Sequence, residues 1–433
     1  DGHRFCERAV ESGARALVVE RYLPALSAVP QLVVESTLAA LGDIARFHLR
    51  RWRERTGGRV LAITGSAGKT TTKTVCGLLL EQLAQPAVVT LGNLNNLVGA
   101  PMMALTLTPT HRYAVLEVGT NQKGEIPRLE AITEPDVAVV TLIDAAHTQG
   151  LGGIEEVEKE KLSLFRRAPI RIGNGDDERV SRSGARLYGT GENAALRLVN
   201  RRLLPDLRQR LVLAGTGGER TVEVPLLGYP GALAVTGAVL AVEALLEPGV
   251  DLGRAAQTAA PPIAAADITN ALRDFDAGAR LRLVRTEALT IIDDSYNSNP
   301  AACLTSLITT KEIASELGAP RWGAVLGAML ELGAESAAQH ERVGVFARGT
   351  GLEWLVTVGE LAEPLAAAAE GAGLHIVRVR DAAAAVEASL RLVQTGDVVL
   401  VKGSRSIGTE SVVAALQQRG DGVARRRAGE GTP

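Results

Sequence analysis

A glycine-rich loop, a lysine and a hydroxyl stand together at Gly65-Ser66-Ala67-Gly68-Lys69-Thr70. Backbone N–H groups of such a loop converge on an anion, the ammonium adds a point charge, and a threonine hydroxyl can ligate Mg²⁺. These are the groups that cradle nucleotide phosphates. The widespread phosphate-loop pattern places four residues between its glycines, whereas two separate Gly65 from Gly68. The flanks favour phosphate over a plain helix-capping turn. Val60-Leu61-Ala62-Ile63 reads as a buried parallel strand, and residues 71–82 carry Val75, Leu78 and Leu79 at helical spacing.

Further candidates follow other strands. Between residues 59 and 246, apolar runs at 60–63, 87–90, 113–117, 137–141 and 170–173 alternate with helical stretches. This alternation predicts a parallel sheet covered on both faces, with ligands beyond the carboxyl ends of its strands. The polar residues there are Gly92-Asn93-Leu94-Asn95-Asn96, then Glu117-Val118-Gly119-Thr120-Asn121, then Asp144-Ala145-Ala146-His147. A hard cation beside phosphates takes oxygen ligands, which Glu117 and Thr70 would supply. The segment 154–165, IEEVEKEKLSLF, is a helix of mixed charge. Alone it reads as a solvated face with pairs such as Glu155–Lys159 and a repulsive Glu156–Glu160. Its spacing singles out none of its lysines.

The elements that must position these groups need several domains. The chain has 433 residues, enough for two or three cores, and a formal net charge of −2, which gives no overall basic field for nucleic acid. No apolar run is read as a membrane span, and no signal peptide is read at the start. Cys6, Cys76 and Cys303 are odd in number and far apart, which suits a reducing cytosol better than a disulfide framework or a zinc site. Residues 1–57 hold two predicted strands and two helices, the second ending in a basic cluster. They read as the second half of a domain. Residues 197–225 read as an antiparallel excursion, 231–246 as a buried helix, and the Ala/Pro-rich stretch 248–275 as the approach to a boundary. From Arg280 a second α/β pattern has strands at 290–292, 322–326, 354–358, 375–379 and 398–401. The tail after Gln418 is expected to lack structure. Two polar stretches follow strands in this last part, Asp293-Asp294-Ser295-Tyr296-Asn297-Ser298-Asn299-Pro300 and Lys402-Gly403-Ser404-Arg405. Each suits either an anion or a polar turn.

Taken together, these stretches resemble the Mur ligases, the ATP-dependent amide-forming enzymes of peptidoglycan assembly. TGSAGKTTT resembles the family phosphate loop. GNLNNLVGAP, DDSYNSNP, the 329–333 segment MLELG followed by His340, LVKGSR and the opening DGHRF resemble the member that adds D-alanyl-D-alanine to UDP-N-acetylmuramoyl-tripeptide. The resemblance implies an α/β, three-domain architecture. A partial domain for the UDP-linked substrate would span 1–57, a central phosphate-loop ATPase 58–278, and a Rossmann-like lid 279–418, with 419–433 as tail. It also implies ATP, two Mg²⁺ ions and a carbamoylated lysine, in a cytoplasmic monomer.

Residue by residue, Gly65, Ser66, Ala67, Gly68, Lys69, Thr70 and Thr71 would bind the ATP phosphates. Thr70 and Glu117 would hold one Mg²⁺, and His147 would help hold the second with a carbamoylated Lys161, to be told from its neighbour Lys159. Asn95 or Asn96 would face the phosphoryl region, Arg280 the γ-phosphate and Asp294 the ribose, with Asn297 beside it. Three features depart from the family. Gly228-Tyr229-Pro230-Gly231-Ala232-Leu233-Ala234 stands for G-x-H-N-x-x-N on the adenine side, Gly327-Ala328-Met329 stands for Gly-Asp-Met, and the front of the first domain is absent. A sister ligase of the superfamily, of another Mur or folylpolyglutamate type, fits DSYNSNP and GNLNN less well. A weakened paralogue that binds without turnover would accommodate the replaced His and Asn residues.

Overall fold

The computed structural model describes residues 1–145, 148–247, 261–371 and 373–429, with side chains as far as residue 422. A short helix, α1 (Cys6–Glu11), leads into parallel strands β1 (Leu17–Val19) and β2 (Gln31–Val33), which form a sheet of their own. Helix α2 (Thr37–Thr56) starts at Ser36, whose hydroxyl accepts from the Ala39 N–H. It stops at Gly57, whose φ of 65° suits glycine. Its buried Gly42, Ala45, Leu49 and Trp52 recur at helical spacing, and the last three pack beside Val60, Met103 and Ala104 of the following domain. The basic cluster faces carboxylates of that domain, with Arg46 and Arg50 on Glu134 and Arg53 on Asp136.

The central part alternates β3 (Arg59–Thr64), α3 (Lys69–Gln82), β4 (Ala87–Val89), α4 (Gly99–Leu105), β5 (Tyr113–Glu117), α5 (Glu125–Thr133) and β6 (Val137–Val140). It continues with α6 (Thr148–Leu151), α7 (Ile154–Leu162), β7 (Ile170–Asn174), α8 (Glu178–Ser181) and β8 (Arg186–Gly189). Strands β9 (Leu196–Leu203), β10 (Gln209–Gly215) and β11 (Gly218–Val224) form the antiparallel excursion, and α9 (Gly228–Leu246) follows. The nine strands make one sheet in the order β11-β10-β9-β8-β7-β6-β3-β5-β4, parallel from β4 to β9. Strand β8 was not anticipated from the sequence, because its run is short and its first residue, Arg186, is exposed. One helix departs from the expectation that no apolar run approaches the length of a membrane span. Helix α9 is long and apolar enough by length and composition. It is a core helix all the same, 72 % of its apolar window being buried, and it packs with α3 in the central core.

Residues 248–260, where the boundary was expected to begin, lie outside the described residues. After α10 (Ala265–Ala271) come β12 (Arg282–Arg285), β13 (Thr290–Asp294), α11 (Pro300–Glu316), β14 (Trp322–Gly327) and α12 (Ser336–Arg348). The chain ends with β15 (Trp354–Val358), α13 (Glu363–Ala369), β16 (His375–Val379), α14 (Ala382–Leu392), β17 (Val398–Lys402) and α15 (Glu410–Gly429). This second sheet runs β12-β13-β17-β14-β15-β16, parallel apart from β12, with apolar clusters on both faces. In it Asp294 and Lys402 are register partners at the ends of β13 and β17. The tail expected to be unstructured continues α15 as far as Gly429.

Candidate active site

The two sheets face each other across a cavity of about 1320 Å³. Its central wall is the phosphate loop. A Cβ on Gly65 would lie 2.0 Å from Thr141 Oγ1, so only glycine lets the loop run this close to the end of β6. Thr141 Oγ1 donates to Ala67 O at 2.5 Å, and Ser66 Oγ donates to Asp144 O at 2.8 Å while accepting from Asp144 N at 3.0 Å. These bonds brace the loop against the end of β6 and the residues after it. Lys69 Nζ folds back to donate to Gly65 O at 2.7 Å. Burial lowers the pKa of its ammonium, with Glu117 opposing and Arg280 adding to the shift.

Around the loop the strand-end residues converge. Glu117 is buried, and its carboxylate accepts from Thr70 Oγ1 at 2.9 Å and from Asn95 Nδ2 at 2.8 Å. Asn95 therefore reaches the carboxylate. Asn96 also lines the cavity, but its side-chain oxygen is occupied by Val98 N and Gly99 N at the start of α4. Beneath lies a buried lysine that the sequence reading missed. Lys73 Nζ donates to Thr90 O at 2.8 Å, and Thr90 Oγ1 accepts from Glu117 N. Its position one turn after Lys69 was the available signal.

Helix α7 separates its two lysines. The Lys159 side chain is 73 % exposed and pairs with Glu156, whereas Lys161 is 1 % exposed and lines the cavity. Burial holds the Lys161 amine well below the usual lysine range, the Lys69 charge lowers it further, and Glu160 opposes. Among the described residues the Lys161 side-chain amine makes no hydrogen bond or ion pair. The expected Glu156–Glu160 repulsion does not arise, because Glu160 turns inward to accept from Gly124 N and Ile126 N at the start of α5. His147 lies outside the described residues. Among those described, no group of three or more His, Cys, Asp and Glu is placed to hold a metal. A hydroxyl and a carboxylate 2.9 Å apart nevertheless fit Mg²⁺, which takes one or two protein oxygens and completes its shell with phosphates and water. A buried amine whose pKa is lowered by burial likewise fits carbamoylation.

The second sheet supplies the opposite wall. Arg280, Asp294 and Asn297 all line the cavity. Asp294 Oδ2 accepts from Lys402 Nζ and Ser306 Oγ, each at 2.5 Å, and Oδ1 accepts from Leu281 N at 3.2 Å. The carboxylate expected at the ribose is thus engaged within its own domain. His340 Nδ1 donates to Ser336 O at 2.7 Å and Nε2 accepts from Met329 N at 2.9 Å, so this buried imidazole is neutral and fixes the 329–333 segment. At the far end the substituted 228–234 stretch places Tyr229 Oη 2.6 Å from Asp176 Oδ2. Burial, then Asp176, pushes the phenol up to about 12. The two walls also touch directly. Asn299 Nδ2 donates to Ser66 O at 3.4 Å, Ala301 N to Asp144 Oδ2 at 3.1 Å, and Thr148 Oγ1 to Leu332 O at 3.1 Å.

Comparison with known proteins agrees with this geometry. A family model for the Mur ligase middle domain matches residues 63–242, and one for the Mur ligase, glutamate ligase domain matches 279–405. The chain is 33 % identical over 445 residues to the UDP-N-acetylmuramoyl-tripeptide–D-alanyl-D-alanine ligase of Escherichia coli strain K12, covering 97 % of this chain and 89 % of that one. A solved MurF from Acinetobacter baumannii superposes with a TM-score of 0.82 at 29 % identity, over 96 % of this chain and 88 % of that one. The MurF ligase of Thermotoga maritima, solved in complex with ADP, gives 0.79 at 26 % identity, over 96 % and 92 %. With both domains matched and the phosphate loop facing a second, Rossmann-like sheet, the chain belongs to the Mur ligase family of ATP-dependent ligases.

Proposed function

We infer that the chain joins D-alanyl-D-alanine to UDP-N-acetylmuramoyl-tripeptide, cleaving ATP to ADP and phosphate, in the making of peptidoglycan precursors. The observation that carries this reading is the convergence of Lys69, Thr70, Glu117, Lys161 and Arg280 on one cavity between two domains. It occurs in a chain 33 % identical to the E. coli ligase of that name.

Two anions meet in the first step, the acceptor carboxylate and the γ-phosphate. Lys69 and Arg280 offset their repulsion and stabilise charge on the transferring group. A carboxylate oxygen bonds to the γ-phosphorus as the bond to the β–γ bridging oxygen breaks, giving an acyl phosphate and ADP. The dipeptide amine then attacks the acyl carbon, phosphate departs with the C–O electron pair, and the nitrogen loses a proton. Thr70 and Glu117 would hold one Mg²⁺, and His147 with carbamoylated Lys161 a second. Bound Mg²⁺ supplies Lewis-acid neutralisation of the phosphate oxygens. Lys161 gains its carboxylate when its neutral amine attacks CO₂ and loses a proton. The second domain, seated on the loop, keeps water from the acyl phosphate. The free Cys6, Cys76 and Cys303 suit a cytoplasmic enzyme, acting as a monomer.

One observation favours a second reading, nucleotide binding without turnover. The Tyr229–Asp176 pair and an apolar wall stand where the family's His and Asn residues were expected. One assay separates the two. Phosphate release should require both the UDP-tripeptide and D-alanyl-D-alanine, and release that ignores either, or none at all, would overturn the ligase reading.

A further inference from the structure

Arg280 is held in an unusual way for a cation in a phosphate site. Among the described residues its guanidinium makes no hydrogen bond and no ion pair. Instead its Cζ lies 3.7 Å from the centroid of the Tyr296 ring. The backbone on either side is pinned to the same turn, since Tyr296 N donates to Ala279 O at 3.1 Å and Leu281 N donates to Asp294 Oδ1 at 3.2 Å. Leu281 adopts a φ of 54°, a left-handed conformation that a leucine holds only when its surroundings impose it. The turn is itself anchored in the sheet. Lys402 is 2 % exposed, and its Nζ donates to Asp294 Oδ2 at 2.5 Å and to Asn297 O at 3.0 Å.

Stacking and ion pairing have different consequences for an arginine meant to meet phosphate. A carboxylate partner would occupy the N–H edge of the guanidinium and cancel its charge before a ligand arrived. An aromatic face attracts the cation through its quadrupole and leaves the donors, which lie in the guanidinium plane, free. A phosphoryl group can then be met by a full charge in a fixed orientation, with little reorganisation.

We propose that Tyr296, fixed by the Asp294–Lys402 pair, is the positioning residue that aims Arg280 at the transferring phosphoryl group. This rests on the ligase reading above and adds to it a role for the DDSY turn apart from contact with the nucleotide. Its effect should fall on kcat, because Arg280 acts where charge shifts, and little on the KM for ATP.

The test is a double-mutant cycle on the full chain, read as kcat and KM for ATP in phosphate release, with circular dichroism to verify folding. Tyr296→Leu is expected to lower kcat roughly 10-fold, with KM for ATP changed less than about 2-fold. Tyr296→Phe keeps the ring, and since the Tyr296 hydroxyl makes no hydrogen bond among the described residues, it should restore kcat to within about 2-fold. Arg280→Ala should cost about 10²-fold, and Tyr296→Leu should add nothing in that background. Equal losses for Phe and Leu, or multiplicative losses in the double variant, would overturn the proposal while the ligase reading stands. Full activity in Arg280→Ala would instead overturn the role given to Arg280 in the ligase reading.

Discussion

Thr70 Oγ1 donates to Glu117 Oε2 across 2.9 Å, tying the first turn of α3 to the end of β5. Under the proposed function the same two oxygens would hold Mg²⁺. Glu117→Gln keeps the shape of the side chain and removes its charge. We expect the Mg²⁺ concentration for half-maximal phosphate release to rise roughly 10- to 100-fold. An unchanged Mg²⁺ titration would remove Glu117 from the metal site.

Lys69 donates to Gly65 O, a bond it would leave to follow the γ-phosphate in the proposed reaction. Lys69→Ala should reduce turnover by about 10²-fold, the worth of one transition-state donor. Measurement is by steady-state phosphate release, and near-normal turnover would rule out the phosphate-loop assignment.

Lys161 and Lys159 should behave differently although they sit two places apart. Lys161→Ala is expected to lose nearly all activity and to recover part of it with a short carboxylic acid, whereas Lys159→Ala should stay active. Stability carries a second signature. The folded Lys161 pKa lies below its unfolded value, so between the two the unfolded chain holds the extra proton and stability rises with pH. In CO₂-depleted buffer Lys161→Met should therefore raise the urea midpoint at neutral pH. That gain should shrink as pH approaches the ordinary lysine value.

Glu134 makes the opposite case. Hydrogen bonds from Arg50, with Arg46 assisting, pull its carboxyl down to about 2 from 4.5. The stabilisation is present above 4.5 and is lost as pH falls toward 2. Glu134→Gln should lower the urea midpoint at pH 7, and the difference from the parent should close over that window. A constant difference at all pH values would mean that the charge of Glu134 does not hold α2.

The fold was largely legible because its strands are short apolar runs bounded by glycine, as at 60–63 and 398–401, and such runs suit parallel strands buried on both faces. Strand β8 went unseen because its apolar run is only two residues long, Leu187 and Tyr188, after an exposed Arg186. The helical tail was misjudged because its charge suggested solvation without structure. In the site, Glu117 and Thr70 could be read from their places at strand and loop ends. The choice between Asn95 and Asn96 could not, since only the start of α4 decides which oxygen is occupied. Nor could spacing choose Lys161, because a helix of mixed charge does not announce which face packs inward. Asp294 was read as a ligand contact, while its partner Lys402 lies 108 residues away, a distance no local pattern bridges.

The phosphate loop and its facing domain share bonds through Asn299 to Ser66 and Ala301 to Asp144. Under the proposed function we expect nucleotide to enter, and ADP to leave, while these bonds are broken. The parting of the two domains is then the expected slow event in each cycle, with bond-making between substrates fast by comparison. A first turnover quicker than its successors, and a steady rate that falls as the solvent is made more viscous, are the expected results of two bonds between facing domains.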